Sequence, residues 1–232
     1  MFHALREAAT RHGDRLALLA ARHLPEVKLD FERFGLDTSL FFDFGPREGL
    51  GFTARSVLVV ATPSPAATLK LSLGGRVKAV DIPAAYVDFE HTQKRLLGYL
   101  GALLREGGFS LIAAPRLPAK AIAAHAGLGR NGRNNTVLVE GMGSFLTLSL
   151  FFSDLPADSA RFEPFAWAEC CAGCQLCLKA CPSGALSEKS ELVVIDRCLT
   201  LINEQPGDFP AWAEPAWHNA LIGCTGCQFV CP

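Results

Sequence analysis

Cysteine is missing from the first 169 residues of this 232-residue chain, and all nine of its cysteines follow. A disulfide scaffold would spread its bridges along a short secreted chain, so this distribution points instead to metal binding in a reducing compartment. Charge of one sign is also missing: 22 Lys and Arg stand against 23 Asp and Glu, for a net charge of -1. No basic stripe able to neutralise a row of phosphates is visible, which argues against a long nucleic-acid track. No stretch approaches the roughly 20 apolar residues that a membrane helix requires. The opening MFHALREAATRHGDR is charged throughout and lacks the apolar core and small-residue cleavage site of a signal peptide. A cytoplasmic protein with no membrane partner is therefore expected.

What is present is apolar: half of the residues are hydrophobic, enough for one main core with a smaller appendage. The first 24 residues read as one amphipathic helix ending near Leu24-Pro25, followed by an irregular stretch to Ala54 whose Phe31, Phe34, Phe41, Phe42 and Phe44 pack under a loop. SVLVVA at 56–61 reads as a buried strand stopped by Pro63 and Pro65, and Leu69 to Val80 as a second strand or a hairpin about Gly74-Gly75. Asp88 or a neighbour is the expected cap of a helix that runs to Gly107-Gly108. Phe109 to Ala113 follows as a strand and Ala119 to Ala126 as a short helix. Thr136–Glu140 and Ser144–Phe152 read as two strands joined by a Gly-Met-Gly hairpin turn. Beyond Pro156 the composition shifts to Pro, Ala and Cys, placing a domain boundary near Glu163.

The cysteines carry the chemistry. Cys171-x2-Cys174-x2-Cys177-x3-Cys181-Pro182 is the bacterial ferredoxin run for a 4Fe-4S cluster, whose fourth cysteine ligates the other cluster in two-cluster proteins. In GCTGCQFVCP, Cys224, Cys227 and Cys231-Pro232 match the second to fourth positions of the same template, but the first falls on Leu221. One ligand must come from elsewhere. Cys198 lies between the motifs and is free to fold back, whereas Cys170 adjoins Cys171. The expected division is Cys171, Cys174, Cys177 and Cys231 for cluster A, and Cys181, Cys198, Cys224 and Cys227 for cluster B, with Cys170 spare. Paired C-x2-C motifs also build zinc sites, but zinc does not require the full C-x2-C-x2-C-x3-C-P run. Two clusters in one fold make an electron path, where a structural staple needs one.

GLGRNG at 127–132 satisfies the dinucleotide pattern G-x-G-x-x-G, yet a helix is expected before it and a strand after it, the reverse of the Rossmann order. A dinucleotide site is rejected. His125 precedes this turn on the expected helix and could donate a proton to a nearby site, although an ordinary helix residue is the commoner reading. His91, with Asp88 and Glu90, reads as part of a helix start. Arg130 and Arg133 flank the turn and could hold a phosphate or carboxylate. Trp167, Trp212 and Trp217 bracket the cysteines and are expected to shield clusters from water.

AGLGRNGRNNTVLVEGMGSFLTLSLFFSDLP, the cysteine run, RCLTLINE and GCTGCQFVCP, in that order, resemble the epoxyqueuosine reductase and reductive dehalogenase superfamily from about Ala119 to Pro232. The resemblance implies the same division of cysteines. It also implies a corrinoid (cobalamin) beside one cluster, with contacts near Val137, Leu148 and Thr200, and reduction of an epoxide on a modified tRNA base with a proton from an aspartate. That aspartate aligns with Ala113 and a following glutamate with Ala119. A methyl group donates no proton, which argues against that reaction by that mechanism. Other departures are Arg133 where the family has lysine and Ser149 where it has glycine. The family continues past the last cysteine motif into helical repeats that help hold tRNA; the sequence here ends at Pro232, so tRNA is not an expected partner.

The expected architecture is α+β: a mixed N-terminal domain over residues 1–163, resembling the corrinoid-binding part of that family, and a ferredoxin-like domain over 164–232 with two 4Fe-4S clusters. The expected function is an oxidoreductase that takes single electrons from a donor protein and passes them through the clusters to a small molecule, cofactor or corrinoid in the N-terminal domain. The alternatives are a cobalamin-dependent epoxyqueuosine reductase acting on tRNA and a non-catalytic electron carrier serving a partner protein.

Overall fold

The computed structural model describes residues 1–33, 42–46, 49–188 and 192–232. Where one helix is expected over the first 24 residues, two helices and a strand are found. Helix α1 spans Phe2–Arg11 and buries Leu5, Ala8 and Ala9 along one face. Gly13, at φ 77°, turns the chain into strand β1, Arg15–Ala20. A short run of Ala and Leu is compatible with helix or strand, and here pairing with a later strand decides the outcome. Helix α2 spans Leu24–Arg33, so Leu24-Pro25 begins a helix instead of ending one. Proline is tolerated there because first-turn N–H groups have no intrahelical acceptor to lose. Phe31 from this helix meets Phe42 and Phe44 as an aromatic cluster; Phe34 and Phe41 lie outside the described residues.

Strand β2, Ser56–Pro63, runs one residue through Pro63 before it stops. Strands β3 (Ala67–Leu73) and β4 (Arg76–Ile82) form the expected hairpin, closed by Gly74 and Gly75 at positive φ. Helix α3, Phe89–Glu106, follows Asp88, which sits at the cap position with φ 54° but makes no capping hydrogen bond through its side chain. Strand β5 is shorter than expected, Leu111–Ala113, and helix α4 runs Ala119–His125.

The Gly-Met-Gly turn does not join two paired strands. Strand β6 (Arg130–Asn131) pairs with β7 (Val137–Leu138), and only the isolated bridge Val139 to Gly143 spans the turn. Strand β8, Leu146–Ser153, instead lies between β2 and β5. Its near-continuous burial explains this partnership, because such a strand belongs inside a sheet and not on an exposed hairpin.

The main sheet has the order β1-β2-β8-β5, with every neighbouring pair antiparallel. Alternate residues of the strands feed two cores. Leu19, Val57, Val59, Leu150 and Phe152 face one side with Leu24, Val27 and Ile122 of α2 and α4. Leu16, Leu18, Leu58, Val60 and Phe151 face the other with Leu5 of α1 and Leu96, Leu100 and Leu104 of α3. Asp14, fully buried beside β1, is held by Arg95 through two hydrogen bonds of 2.8 Å and by the Thr62 and Tyr99 hydroxyls at 2.7 and 2.8 Å.

The cysteine-bearing segment contains short helices: α5 (Leu176–Ala180), α6 (Leu199–Glu204) and α7 (Gly226–Phe229). It is fastened to the N-terminal part at several points. Ala168 N–H donates to Asn131 O at 2.8 Å, Asp81 N–H to Asn219 O at 3.0 Å and Leu221 N–H to Asp81 O at 2.8 Å. Gln228 donates to the Ser144 carbonyl at 2.8 Å, and Phe229 stacks edge-on against Phe145. Among the described residues no helix is long and apolar enough to cross a membrane.

Candidate metal centre

The two cysteine motifs fold alike. In each, a glycine at positive φ (Gly173, Gly223) lets the loop turn tightly, a helix of one turn carries a cysteine (Cys177 in α5, Cys227 in α7), and a Cys-Pro pair follows. Proline supplies no N–H to continue the helix, and Cys181 leaves α5 on an extended path. Helices α5 and α7 pack against each other, and the departing cysteine of each motif therefore travels toward the loop of the other.

The resulting neighbourhoods are distinct. Cys171, Cys174, Cys177 and Cys231 line one small surface cavity together with Cys170, Arg133, Asn134, Leu176 and Pro232. Around Cys227 the neighbouring sulfurs are Cys224, Cys198 and Cys181, with Cys177 next. None of the nine cysteines is in a disulfide. Burial, and then the crowding of these neighbours, pushes the Cys227 thiol up to about 12. Cys177 and Cys231 are also raised, by burial first and then by the other sulfurs of the cavity. Cys170 is raised too, although it is exposed. Several thiolates in one weakly solvated space repel one another, and bound cationic iron reverses that balance by favouring the deprotonated ligands.

The donor set fits iron-sulfur clusters better than single ions. A zinc tetrahedron draws four ligands to within about 2.3 Å of one point. Among the described residues no three Cys, His, Asp or Glu side chains converge in that way. The all-cysteine donor set and the C-x2-C-x2-C-x3-C-P spacing are those of a 4Fe-4S cluster.

The remaining expected residues are scattered. Val137 is 3% exposed and packed in the α2–α4 core, and Leu148 packs against the same core. Thr200 lies half-buried on α6. Ser149, the extra side chain beside Leu148, has a buried hydroxyl without a hydrogen-bond partner; being adjacent on a strand it points to the opposite face of the sheet from Leu148. The glycine turn serves internal packing: a Cβ on Gly129 would meet Leu138 O and Val137 Cγ1 at 2.6 Å, so glycine is what lets β7 close on β6. Helix α4 precedes the turn and β6 and β7 surround it, the reverse of a dinucleotide site.

His125 is buried, stacked on Phe162 and donating from Nδ1 to the Glu163 carbonyl at 2.7 Å, with Nε2 3.1 Å from Asp30. It ties α2, α4 and the 163 region together. His91, with Glu90, lies in the first turn of α3. Arg133 faces the cysteine cavity, while Arg130 is exposed. Trp212 lies under the Arg197 guanidinium at 4.8 Å, and Trp217 is 6.5 Å from Trp212. Trp167 bridges to Asn131.

Several polar residues at the centre have no signature in the sequence. Asn134 is buried and donates to the Cys227 carbonyl at 3.0 Å, so consecutive residues 133 and 134 reach both cysteine groups. Asn219 Nδ2 lies 3.4 Å from Cys224 Sγ, and the Ser183 hydroxyl 3.6 Å from Cys181 Sγ. Lys120, adjacent to Ala119, is in contact with solvent, yet desolvation pulls its ammonium below the ordinary lysine range, opposed by Cys198, Cys227 and Glu204. Glu204 also accepts a hydrogen bond from Tyr86, which raises the tyrosine's pKa after burial.

Residues 170–232 match the family described as a 4Fe-4S double cluster binding domain. The chain is 27% identical over 170 residues to an epoxyqueuosine reductase of Francisella cf. novicida, a match covering 70% of this chain and 46% of that protein. It is 32% identical over 124 residues to that of Bacillus subtilis, covering 53% and 31%, and 37% identical over 114 residues to that of Pseudomonas aeruginosa, covering 49% and 30%. The match thus spans less than half the length of these curated relatives. A crystal structure of epoxyqueuosine reductase superposes on the whole chain with a TM-score of 0.75 at 24% identity, covering 64% of that structure. One solved with a tRNA-Tyr stem loop gives 0.70, again at 24% identity and 64% coverage. The chain has the mixed α/β fold of these structures over its full length.

Proposed function

We propose that this iron-sulfur protein of the epoxyqueuosine reductase-like type relays single electrons from a donor protein, through two clusters held in residues 164–232, to a cofactor or substrate bound by residues 1–163. Cys171, Cys174, Cys177 and Cys231 hold one cluster, and Cys181, Cys198, Cys224 and Cys227 the other. The observation supporting this reading above others is the meeting of Cys231 with the loop of the first motif, while Cys181 neighbours Cys227 of the second. Such clusters supply one-electron transfer at potentials set by their protein surroundings. The chain's own residues fix the ligand loops: Asn134 holds the Cys227 carbonyl and Gln228 the Ser144 carbonyl. Contact between α5 and α7 keeps the two ligand groups adjacent.

Anaerobic purification tests this proposal. It expects a brown protein with about eight irons per chain, four for each 4Fe cluster, and matching acid-labile sulfide. A colourless protein with zinc and no iron overturns it.

A corrinoid in the N-terminal part is the second reading, favoured by the superposition of the whole chain on epoxyqueuosine reductase structures. Val137, Leu148 and Thr200 are its proposed contacts, with the Lys120 ammonium close enough to Cys198 and Cys227 to feel their charge. Titration of the reconstituted protein with cobalamin, followed in the corrin absorption, tests it. Binding together with salt-sensitive tRNA affinity supports an epoxyqueuosine reductase acting on tRNA. Intact clusters without corrin binding leave an electron carrier that serves a partner.

A further inference from the structure

One amide at the metal centre faces a sulfur. Asn219 Nδ2 lies 3.4 Å from Cys224 Sγ, the range of an N–H···S hydrogen bond, and 3.5 Å from the Trp217 carbonyl. The orientation of that amide is forced from its other end. Asn219 Oδ1 accepts the Thr225 backbone N–H at 3.0 Å, a bond only an oxygen can receive. The buried Thr225 hydroxyl lies 3.0 Å from the same oxygen and 3.2 Å from Asp81 Oδ2. Asp81 in turn accepts from Thr68 at 2.8 Å, and its backbone N–H donates to the Asn219 carbonyl at 3.0 Å. The β3–β4 hairpin therefore grips the loop and leaves the amide N–H groups no freedom to turn from the sulfur.

Hydrogen bonds to ligand sulfurs are one of the levers that set cluster potential, because they stabilise the more negative, reduced state. We infer that Asn219 is a positioning residue which, through its N–H···S bond to Cys224, raises the reduction potential of the cluster held by Cys181, Cys198, Cys224 and Cys227, with Thr225 before α7 and Asp81 of the hairpin fixing its orientation. The inference rests on the double-cluster reading above. It makes this cluster, the one fastened to the N-terminal part through Asp81, the better electron acceptor than its thiolates alone would make it.

The substitution Asn219→Asp isolates the bond, since an oxygen still receives Thr225 N–H while the sulfur loses its donor. Asn219→Ala removes the donor without adding charge. Redox titration of the anaerobically purified holoprotein, with iron counted in parallel, should give two midpoints in the wild type. In Asn219→Ala one midpoint should fall by about 59 mV, a tenfold weaker one-electron uptake, while the other stays in place. Asn219→Asp should lower the same midpoint further. Two unmoved midpoints in variants that retain all their iron overturn the inference. Loss of the cluster in both variants overturns it as well, because a bond that only tunes potential can be removed without losing the ligands. Failure of the wild type to bind two clusters sinks the underlying reading instead, and iron analysis tells these outcomes apart.

Discussion

Replacing Asp14 by Asn should destabilise the N-terminal part by about 3 kcal/mol. The carboxylate is fully buried and accepts two bonds from Arg95 and one each from Thr62 and Tyr99. Breaking a buried pair by removing one partner costs about 3–5 kcal/mol, because the remaining charge is left without compensation. The Arg95 side chain is 29% exposed, so water recovers part of that loss and the lower end applies. For a chain of this size, 1 kcal/mol moves Tm by roughly 2–4 °C, and a fall of about 6–12 °C is expected. Anaerobic thermal unfolding of the cluster-loaded protein, followed by far-UV circular dichroism, reads it directly.

The pH dependence provides a second check. Burial alone raises the Asp14 pKa, but hydrogen bonds from Arg95, Thr62 and Tyr99, with the charge of Arg95, outweigh it and leave the pKa below the ordinary 3.8. A carboxylate with a depressed folded-state pKa stabilises the fold above its unfolded value, and this contribution is lost as pH falls through the folded one. The gap between wild type and Asp14→Asn should accordingly be flat above about pH 5 and close in more acidic solution. A Tm change under about 2 °C, less than 1 kcal/mol, or a gap that widens toward acid, would refute the reasoning.

Cys198→Ala should lower bound iron from about eight to about four per chain and abolish one EPR-active centre; retention of eight irons removes Cys198 from the ligand set. Cys181→Ala should remove that same centre and Cys231→Ala the other, so that EPR of each variant shows the loss in the cluster of the opposite motif. Cys170→Ser should leave both clusters and their spectra intact, iron loss being the contrary result. Asn134→Leu, which strips the Cys227 carbonyl and Thr136 of their partner, should cost about 1–3 kcal/mol and speed amide exchange across the 133–137 turn and α7 together. Unchanged exchange in both segments would mean that the turn does not hold the motif.

The cysteine spacing made the double-cluster segment legible, because a four-thiolate site leaves few arrangements once Leu221 occupies the place of a ligand. The buried strand at 56–61 and the hairpin at Gly74-Gly75 were equally plain, each having its own periodicity or turn residues. Residues 1–24 misled because Arg15–Ala20 carries a continuous apolar run, and continuous burial has no period that separates strand from helix. Leu24-Pro25 misled because proline is as acceptable in a first turn as after a last one. The long-range pairing of β8 with β2 left no local mark, whereas the glycines beside it suggested a hairpin. Asn219, Asn134 and Lys120 were invisible for a different reason: an isolated amide or ammonium acquires chemical meaning only from what the fold sets opposite it.

The cavity walled by residues 170–177 on one side and by Cys231 and Pro232 on the other bears on biogenesis. A growing polypeptide at the ribosome has the first wall long before the second exists, and an emerging CxxCxxC loop has no complete cage to offer. Metal delivery to this cage thus waits until residue 231 has been made and folded back onto the first wall. A backbone cut between the two walls would leave the two sides of the cage joined only by non-covalent packing, such as that of α5 on α7.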